Sequence, residues 1–271
     1  MNLKDQIETK IAELNAKRLF IHSDLLKGFK IPFTTRGKIP PDHIKELYDI
    51  AKNCDIWMPA FNYSFCNGED FSLVDTRSEV GVLSEYFRTK LADWRTKTPV
   101  FSITGIGVKP ELKFHDEIDP FDESSAFHLL DNDESVIMHY GSELRHTTII
   151  HYVERISSKL SYRYDKIFRG KVIDEAGISK DVKLKYHVRP MGFHLDYDWD
   201  KLYNDLKENQ ILFTFVKDNT YILLIKTKEL IDFWNQQLAE DNMYLLDKES
   251  KAWIIPKLNE LGRAFKLTDF E

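Results

Sequence analysis

Apolar residues recur at helical intervals at Leu3, Ile7, Ile11 and Leu14, which predicts an amphipathic first helix whose stripe packs on the rest of the domain. The next run, Arg18 to His22, reads as a buried strand. It leads straight into Ser23 and Asp24, either of which can cap a short turn with backbone N–H groups free to meet an anion or a carbonyl. A capped helix start without a ligand explains the same residues. Residues 40–52 begin with Pro40, offer Asp42 as a cap and place Ile44, Leu47, Tyr48 and Ala51 on one face, so a helix is expected. A second strand follows over residues 54–61, and strand, helix, strand in that order predicts a parallel βαβ unit.

Beyond it, Tyr63, Phe65 and Phe71 stand in a turn-rich segment, where they either stack on a flat ligand or pin the loop. Residues 78–91 predict an amphipathic helix with Val82, Leu83 and Tyr86 inward, and Val100 to Ile106 a strand bounded by Pro99 and Gly107. Residues 119–133 predict a short helix with a Ser cap and many carboxylates, which either attract a cation or are simply solvated. Residues 162–174 and 182–190 alternate apolar and polar positions around a turn, as an antiparallel hairpin does. A helix begins at Leu202, Ile211–Val216 and Thr220–Ile225 pair as a second hairpin, and Lys228–Leu238 is helical again.

The densest stretch lies between these halves. Val136 to His139 is a strand, Gly141 breaks it, Ser142 to Thr148 is a polar turn, and Ile149, Val153, Ile156 and Leu160 form the apolar stripe of a helix that Thr147 or Thr148 can cap. At about 100° per residue, His151 lies roughly 200° from Ile149 and only about 60° from Glu154, so imidazole and carboxylate share a face away from the core. A carboxylate that accepts one ring proton fixes the tautomer and leaves the other nitrogen to act as a base. The same spacing also describes a solvated surface pair.

With no repeat or linker to divide them, the 271 residues are expected to form a single α/β domain, 1–271, with an added antiparallel β region in the C-terminal half. A net charge of −6 argues against nucleic acid as a partner. The two cysteines, Cys54 and Cys66, lack metal-ligand spacing, so no metal and no disulfide is expected and a reducing cytoplasm fits. The N-terminal residues hold no apolar run of signal or membrane-span length. Phosphate loops, dinucleotide fingerprints, nucleophile elbows and H-E-x-x-H pairs are missing from the sequence.

Six segments in order, IHSDLLKGF, MPAFNYS, DTRSEVGVLSEYFR, RTKTPVFSITGIG, SAFHLLDNDESVIMHYG and TTIIHYVE, resemble the aminoglycoside 3-N-acetyltransferase family over residues 18–160. The resemblance implies a central mixed sheet flanked by helices, acetyl-CoA as acyl donor, and a base on the helix after the polar turn, here His151 with Glu154. It also implies that Ser23, Asp24 and Leu25 receive CoA, that Ser102 lies near the cofactor, and that Thr148 precedes the catalytic helix. The chain departs from the family where GSELRH replaces a Gly-x-Gly-His-Asp turn, and where Thr98 and Phe101 stand at two usual histidines.

Acetyl transfer to an amine needs a base for the proton lost on attack and donors for the developing oxyanion. His151 is expected to be that base, Glu154 its orienter, and Thr148 or nearby backbone N–H groups the donors. Arg145 and His146 suit a phosphate and Tyr63 a stacked base, so the preferred acceptor is a nucleotide-linked amino sugar for a bacterial surface glycan. The alternative is an aminoglycoside held by Glu69, Asp70, Asp119 and Asp122. A non-catalytic CoA- or sugar-binding relative, and a homodimer, stay open.

Overall fold

The computed structural model describes residues 2–31, 38–193 and 195–271. The first half forms α1 (Leu3–Glu13), β1 (Arg18–Ser23), α2 (Ile39–Ala51), β2 (Asp55–Pro59), β3 (Phe71–Ser72), α3 (Val82–Lys90), β4 (Trp94–Arg95), β5 (Ile103–Ile106), β6 (Glu117–Ile118) and β7 (Ser135–Tyr140). The second half forms α4 (Ile149–Ile156), β8 (Tyr164–Ile173), β9 (Ser179–Val188), α5 (Trp199–Glu208), β10 (Leu212–Lys217), β11 (Thr220–Lys226), α6 (Thr227–Glu240) and α7 (Lys248–Leu261).

β1 runs parallel to both β2 and β7, so the expected βαβ unit is present, with β1 at the centre of a seven-stranded mixed sheet ordered β10-β11-β7-β1-β2-β5-β4. Its side chains alternate between two cores. Leu19 and Ile21 pack with Ile7 and Ile11 of α1, Ile44 and Leu47 of α2, and Leu83 and Phe87 of α3. Phe20 faces the opposite side, with Ile149 and Val153 of α4, Leu206 of α5, and Leu230 and Trp234 of α6. At about 2 kcal/mol for each fully buried Leu, Ile or Phe, these two faces supply the main drive for folding. The β10–β11 hairpin lies antiparallel against β7 and covers that edge of the parallel core.

β8 and β9 pair antiparallel along ten residues each and gather β3 and β6 into a second sheet. Its Val172, Val182 and Leu184 join the core beneath α4. A third apolar cluster sets Ile254 of α7 against Tyr162, Tyr164, Met243 and Leu246. That helix is capped by Asp247, whose side chain accepts the Ser250 N–H at 2.7 Å, and ends at Gly262 with φ 61°. No helix among the described residues is long and apolar enough to cross a membrane.

Several local expectations change. Val82 is 68% exposed, because α3 starts at Gly81 and turns Leu83 and Phe87 inward instead. Tyr48 stands at the surface, 38% exposed, while Ile50 takes the inner position. The strand expected from Val100 begins only at Ile103, since Val100 has a positive φ of 66° that extended pairing does not allow. Residues 119–133 form only a 3₁₀ turn at His128–Leu130, although Ser125 does accept the His128 N–H at 3.1 Å. Thr148 occupies the N-cap of α4 without a capping bond, and α4 ends at Ile156, short of Leu160.

Candidate active site

β1 and β7 end side by side in register, His22 opposite His139 and Ser23 opposite Tyr140, so their loops emerge together at one edge of the sheet. Carboxyl ends of parallel strands are where α/β sheets open crevices. Here the crevice is a cleft of about 690 Å³. It is lined by His22 and Ser23 at the end of β1 with Asp24 and Leu25 after it, by Pro59 at the end of β2 with Phe61 and Tyr63 after it, and by the start of α3. The polar turn contributes Ser142, Arg145, His146, Thr147 and Thr148, α4 contributes His151, and Tyr197 and Trp199 close the far side.

His151 reaches this cleft from the second residue beyond the start of α4, with 27% of its side chain exposed. Its Nδ1 lies 3.0 Å from Glu154 Oε2. The carboxylate does not face solvent as the spacing implies: Glu154 is 1% exposed. Its burial is compensated by groups beyond the helix. Arg163 forms a buried ion pair with it, Nε to Oε2 at 2.7 Å, and the Tyr162 and Tyr197 hydroxyls donate to Oε1 at 3.1 and 2.9 Å. Arg163 also donates to the Tyr197 hydroxyl at 2.6 Å and to the His187 carbonyl at 3.1 Å.

Burial works to raise the Glu154 pKa, but Arg163 and then His151 outweigh it and hold the carboxyl down at about 2. Burial lowers the His151 pKa; Glu154 opposes that effect, while Arg163 and His187 add to it. At neutral pH the carboxylate is therefore ionised and the imidazole uncharged, the state in which it can accept a proton. Held at Nδ1, His151 would take that proton on Nε2.

A second histidine pair forms the floor. Ser142 Oγ donates to the His22 carbonyl at 3.1 Å, so it accepts a hydrogen bond from His139 Nδ1 at 2.9 Å, and His139 Nε2 accepts from Thr147 Oγ1 at 2.8 Å. Burial, and secondarily His146, lowers the His22 pKa to about 3. Two polar atoms lining the cleft, His22 Nε2 and Ser23 Oγ, are buried without a hydrogen-bond partner. Both have hydrogen-bonding capacity left unused beside the cleft.

The structure thus gathers Ser23, Asp24, Leu25, Tyr63, Arg145, His146, Thr148 and His151 on one cleft. Ser102 is not among them. It is fully buried, its hydroxyl donating to the Ala60 carbonyl at 2.8 Å and accepting from Arg95 Nε at 3.0 Å, so no surface is left for a cofactor. Asp70 accepts the Lys171 N–H at 2.9 Å, and neither it nor Glu69 lines the cleft. Asp119 pairs with Arg155 at 2.6 Å and borders a separate cavity of about 250 Å³, and Asp122 also lies off the cleft. Among the described residues, no group of three or more His, Cys, Asp or Glu could hold a metal ion.

Sequence reasoning misses Arg163, Tyr162, Tyr197 and His22. Arg163 carries a faint signal, a lone cation between two tyrosines at the start of a strand. Tyr197 carries none, because 43 residues separate it from Glu154.

No curated protein sequence matches the chain. Among solved structures, AAC-IIIb in a binary complex with CoASH superimposes with a TM-score of 0.68 at 14% identity, covering 88% of this chain and 96% of that one. The apoenzyme of aminoglycoside acetyltransferase AAC(3)-IVa gives 0.67 at 16% identity over 95% and 96%. A variant of that enzyme in complex with apramycin gives 0.63 at 15% over 89% and 93%. These likenesses show the shared fold, a mixed sheet flanked by helices. The family model for aminoglycoside 3-N-acetyltransferases matches residues 38–239, three-quarters of the sequence and all of the central sheet except β1, and the chain therefore belongs to the aminoglycoside 3-N-acetyltransferase family.

Proposed function

We propose that the protein is an acetyl-CoA-dependent N-acetyltransferase acting on an amine of an amino-sugar acceptor of the aminoglycoside class. The observation that carries this reading is the His151–Glu154 pair opening onto a cleft at the strand ends. The reading of the donor is supported by the family and by AAC-IIIb, which has been solved with CoASH. When bound, acetyl-CoA supplies the acetyl group as a thioester. His151 removes the proton that the amine loses on attack, Glu154 holds its tautomer, and Thr148 with the N–H groups of the polar turn faces the developing negative charge.

For the acceptor, the family and the apramycin complex of AAC(3)-IVa favour an aminoglycoside over a nucleotide-linked sugar. Arg145 Nε lies 3.0 Å from Glu143, which is bridged in turn to Lys27 at 2.8 Å, so two exposed cations share one carboxylate. The carboxylates that the sequence offers for an aminoglycoside lie elsewhere, and among the described residues Asp24 is the carboxylate on the cleft.

A thiol-release assay with acetyl-CoA against aminoglycosides and nucleotide-linked amino sugars tests the reading. Turnover is expected with aminoglycosides, and a fall on the order of 10²- to 10⁴-fold in His151→Ala. Turnover with nucleotide-linked sugars alone would overturn the acceptor, and an unimpaired His151→Ala would overturn the base.

A further inference from the structure

We propose that Arg163 is a positioning residue for the base, which keeps Glu154 ionised and aligned so that His151 stays neutral between turnovers. The proposal rests on the reading of His151 as base. In a simple histidine–carboxylate dyad, the carboxylate's charge is free to stabilise the imidazolium, which raises the histidine's affinity for a proton. Here the carboxylate is already matched. Glu154 and Arg163 have side-chain exposures of 0% and 6%, and they neutralise each other at 2.7 Å before any proton arrives. A proton on His151 then gives the cluster a net charge of +1 in a poorly solvated site, so it is readily surrendered once the acetylated product has formed.

The geometry sets Arg163 apart from an ordinary buried ion pair. Its Nη2 lies 3.5 Å from His151 Nδ1 and 2.6 Å from the Tyr197 hydroxyl, and that hydroxyl both lines the cleft and donates to Glu154. One guanidinium thus touches the base, the residue that orients it and the cleft wall. The groups facing His151 come from its own helix as Glu154, from the segment after it as Arg163, from β9 as His187, and from the residues before α5 as Tyr197, while Tyr162 reaches Glu154. His187 in turn lies 2.9 Å from Asp165. The lowered His151 pKa and the depressed Glu154 pKa run in the directions this arrangement requires.

The test is the pH profile of kcat/KM for wild type, Arg163→Met, Arg163→Lys, Glu154→Gln and the Arg163→Met/Glu154→Gln double variant, with His151→Ala as reference. Loss of the guanidinium removes its repulsion of the imidazolium and frees the full charge of Glu154 to attract a proton. The acid limb of Arg163→Met is expected to move up by about one pH unit, with a loss on the order of 10²-fold at neutral pH. Arg163→Lys keeps the charge and should leave the limb in place. The double variant should be no slower than Glu154→Gln alone, because the alignment Arg163 supplies is that of the carboxylate already removed.

A loss in Arg163→Met without movement of the limb would mean a merely structural role and overturn the proposal. So would a limb that moves in Arg163→Lys, the variant that carries the test if Arg163→Met does not fold, or single losses that multiply in the double variant. Full activity in His151→Ala would remove the base reading itself, whereas an inactive His151→Ala beside an unaltered Arg163→Met would remove this proposal alone.

Discussion

The imidazole of His22 lies stacked on that of His139, with ring centroids 5.1 Å apart and planes within 20°. Both rings are buried and both have lowered pKa values, His22 to about 3 from an ordinary 6.5. The unfolded chain therefore binds protons that the folded one refuses. Stability is fully present above pH 6.5 and falls as the pH drops from there towards 3, at up to roughly 1.4 kcal/mol per pH unit for each such histidine. Urea unfolding at pH 7, 6 and 5 should show this slope, and His22→Phe should flatten it. Equal slopes in the two proteins would mean that the pair does not govern acid stability.

Ser102 separates a structural role from a cofactor role. It joins Arg95 to the Ala60 carbonyl, and Arg95 spends its other N–H groups on the carbonyls of Leu73, Thr76 and Ala60. Ser102→Ala should cost about 1–3 kcal/mol, since a buried guanidinium N–H loses its acceptor. The KM for acetyl-CoA should stay unchanged. A tenfold rise in that KM at full stability would return Ser102 to the cofactor site.

Gly141 sits at φ 77° where β7 meets the polar turn, and a Cβ there would stand 2.0 Å from the Asp24 carbonyl and 2.6 Å from the Gly28 nitrogen. The obstacle is backbone, so the loop after β1 must move. Gly141→Ala should lose at least about 1–2 kcal/mol from the left-handed conformation alone and raise the KM for acetyl-CoA more than it lowers kcat. Thermal melts and initial rates check both, and wild-type behaviour would show that the loop yields freely.

On the proposed function, a cationic acceptor entering a cleft with Asp24 as its carboxylate would feel little long-range attraction. Raising the salt from about 50 to about 300 mM should therefore change the KM for an aminoglycoside less than about threefold, because only charges within roughly a Debye length are felt. A steep rise in KM would mean that carboxylates beyond Asp24 reach the acceptor.

Much of the fold is readable from the sequence because its signals are local. The spacing of Ile44 and Leu47, the alternation through β8 and β9, and the apolar run at β1 each report on burial within one element. Helix α7 is hard to read because Pro256 interrupts it and its apolar stripe is weak. At the site, His151 and Glu154 are legible as an i, i+3 pair, and the family resemblance puts them on one helix. Helical geometry nevertheless sends the carboxylate into solvent, because a wheel drawn for α4 alone cannot contain Arg163, Tyr162 and Tyr197. Those residues make burial of the charge tolerable. For Ser102, motif position says where a residue lies along the chain and not what it touches, and its hydroxyl is held by Ala60 and Arg95.

The placement of β10 and β11 against β7 has a consequence for how the protein is made. β7 and α4 are complete by residue 156, yet the strand that covers β7 begins at Thr220, and Tyr197 lies between them. As the chain leaves the ribosome, β7 presents an unpaired edge until some seventy further residues have emerged, and Glu154 lacks the Tyr197 part of its support for about forty of them. Pairings so distant along the chain form slowly and leave apolar edges open meanwhile. The competent base is thus a late product of synthesis, and the nascent chain must remain soluble through that interval before it can turn over its first substrate.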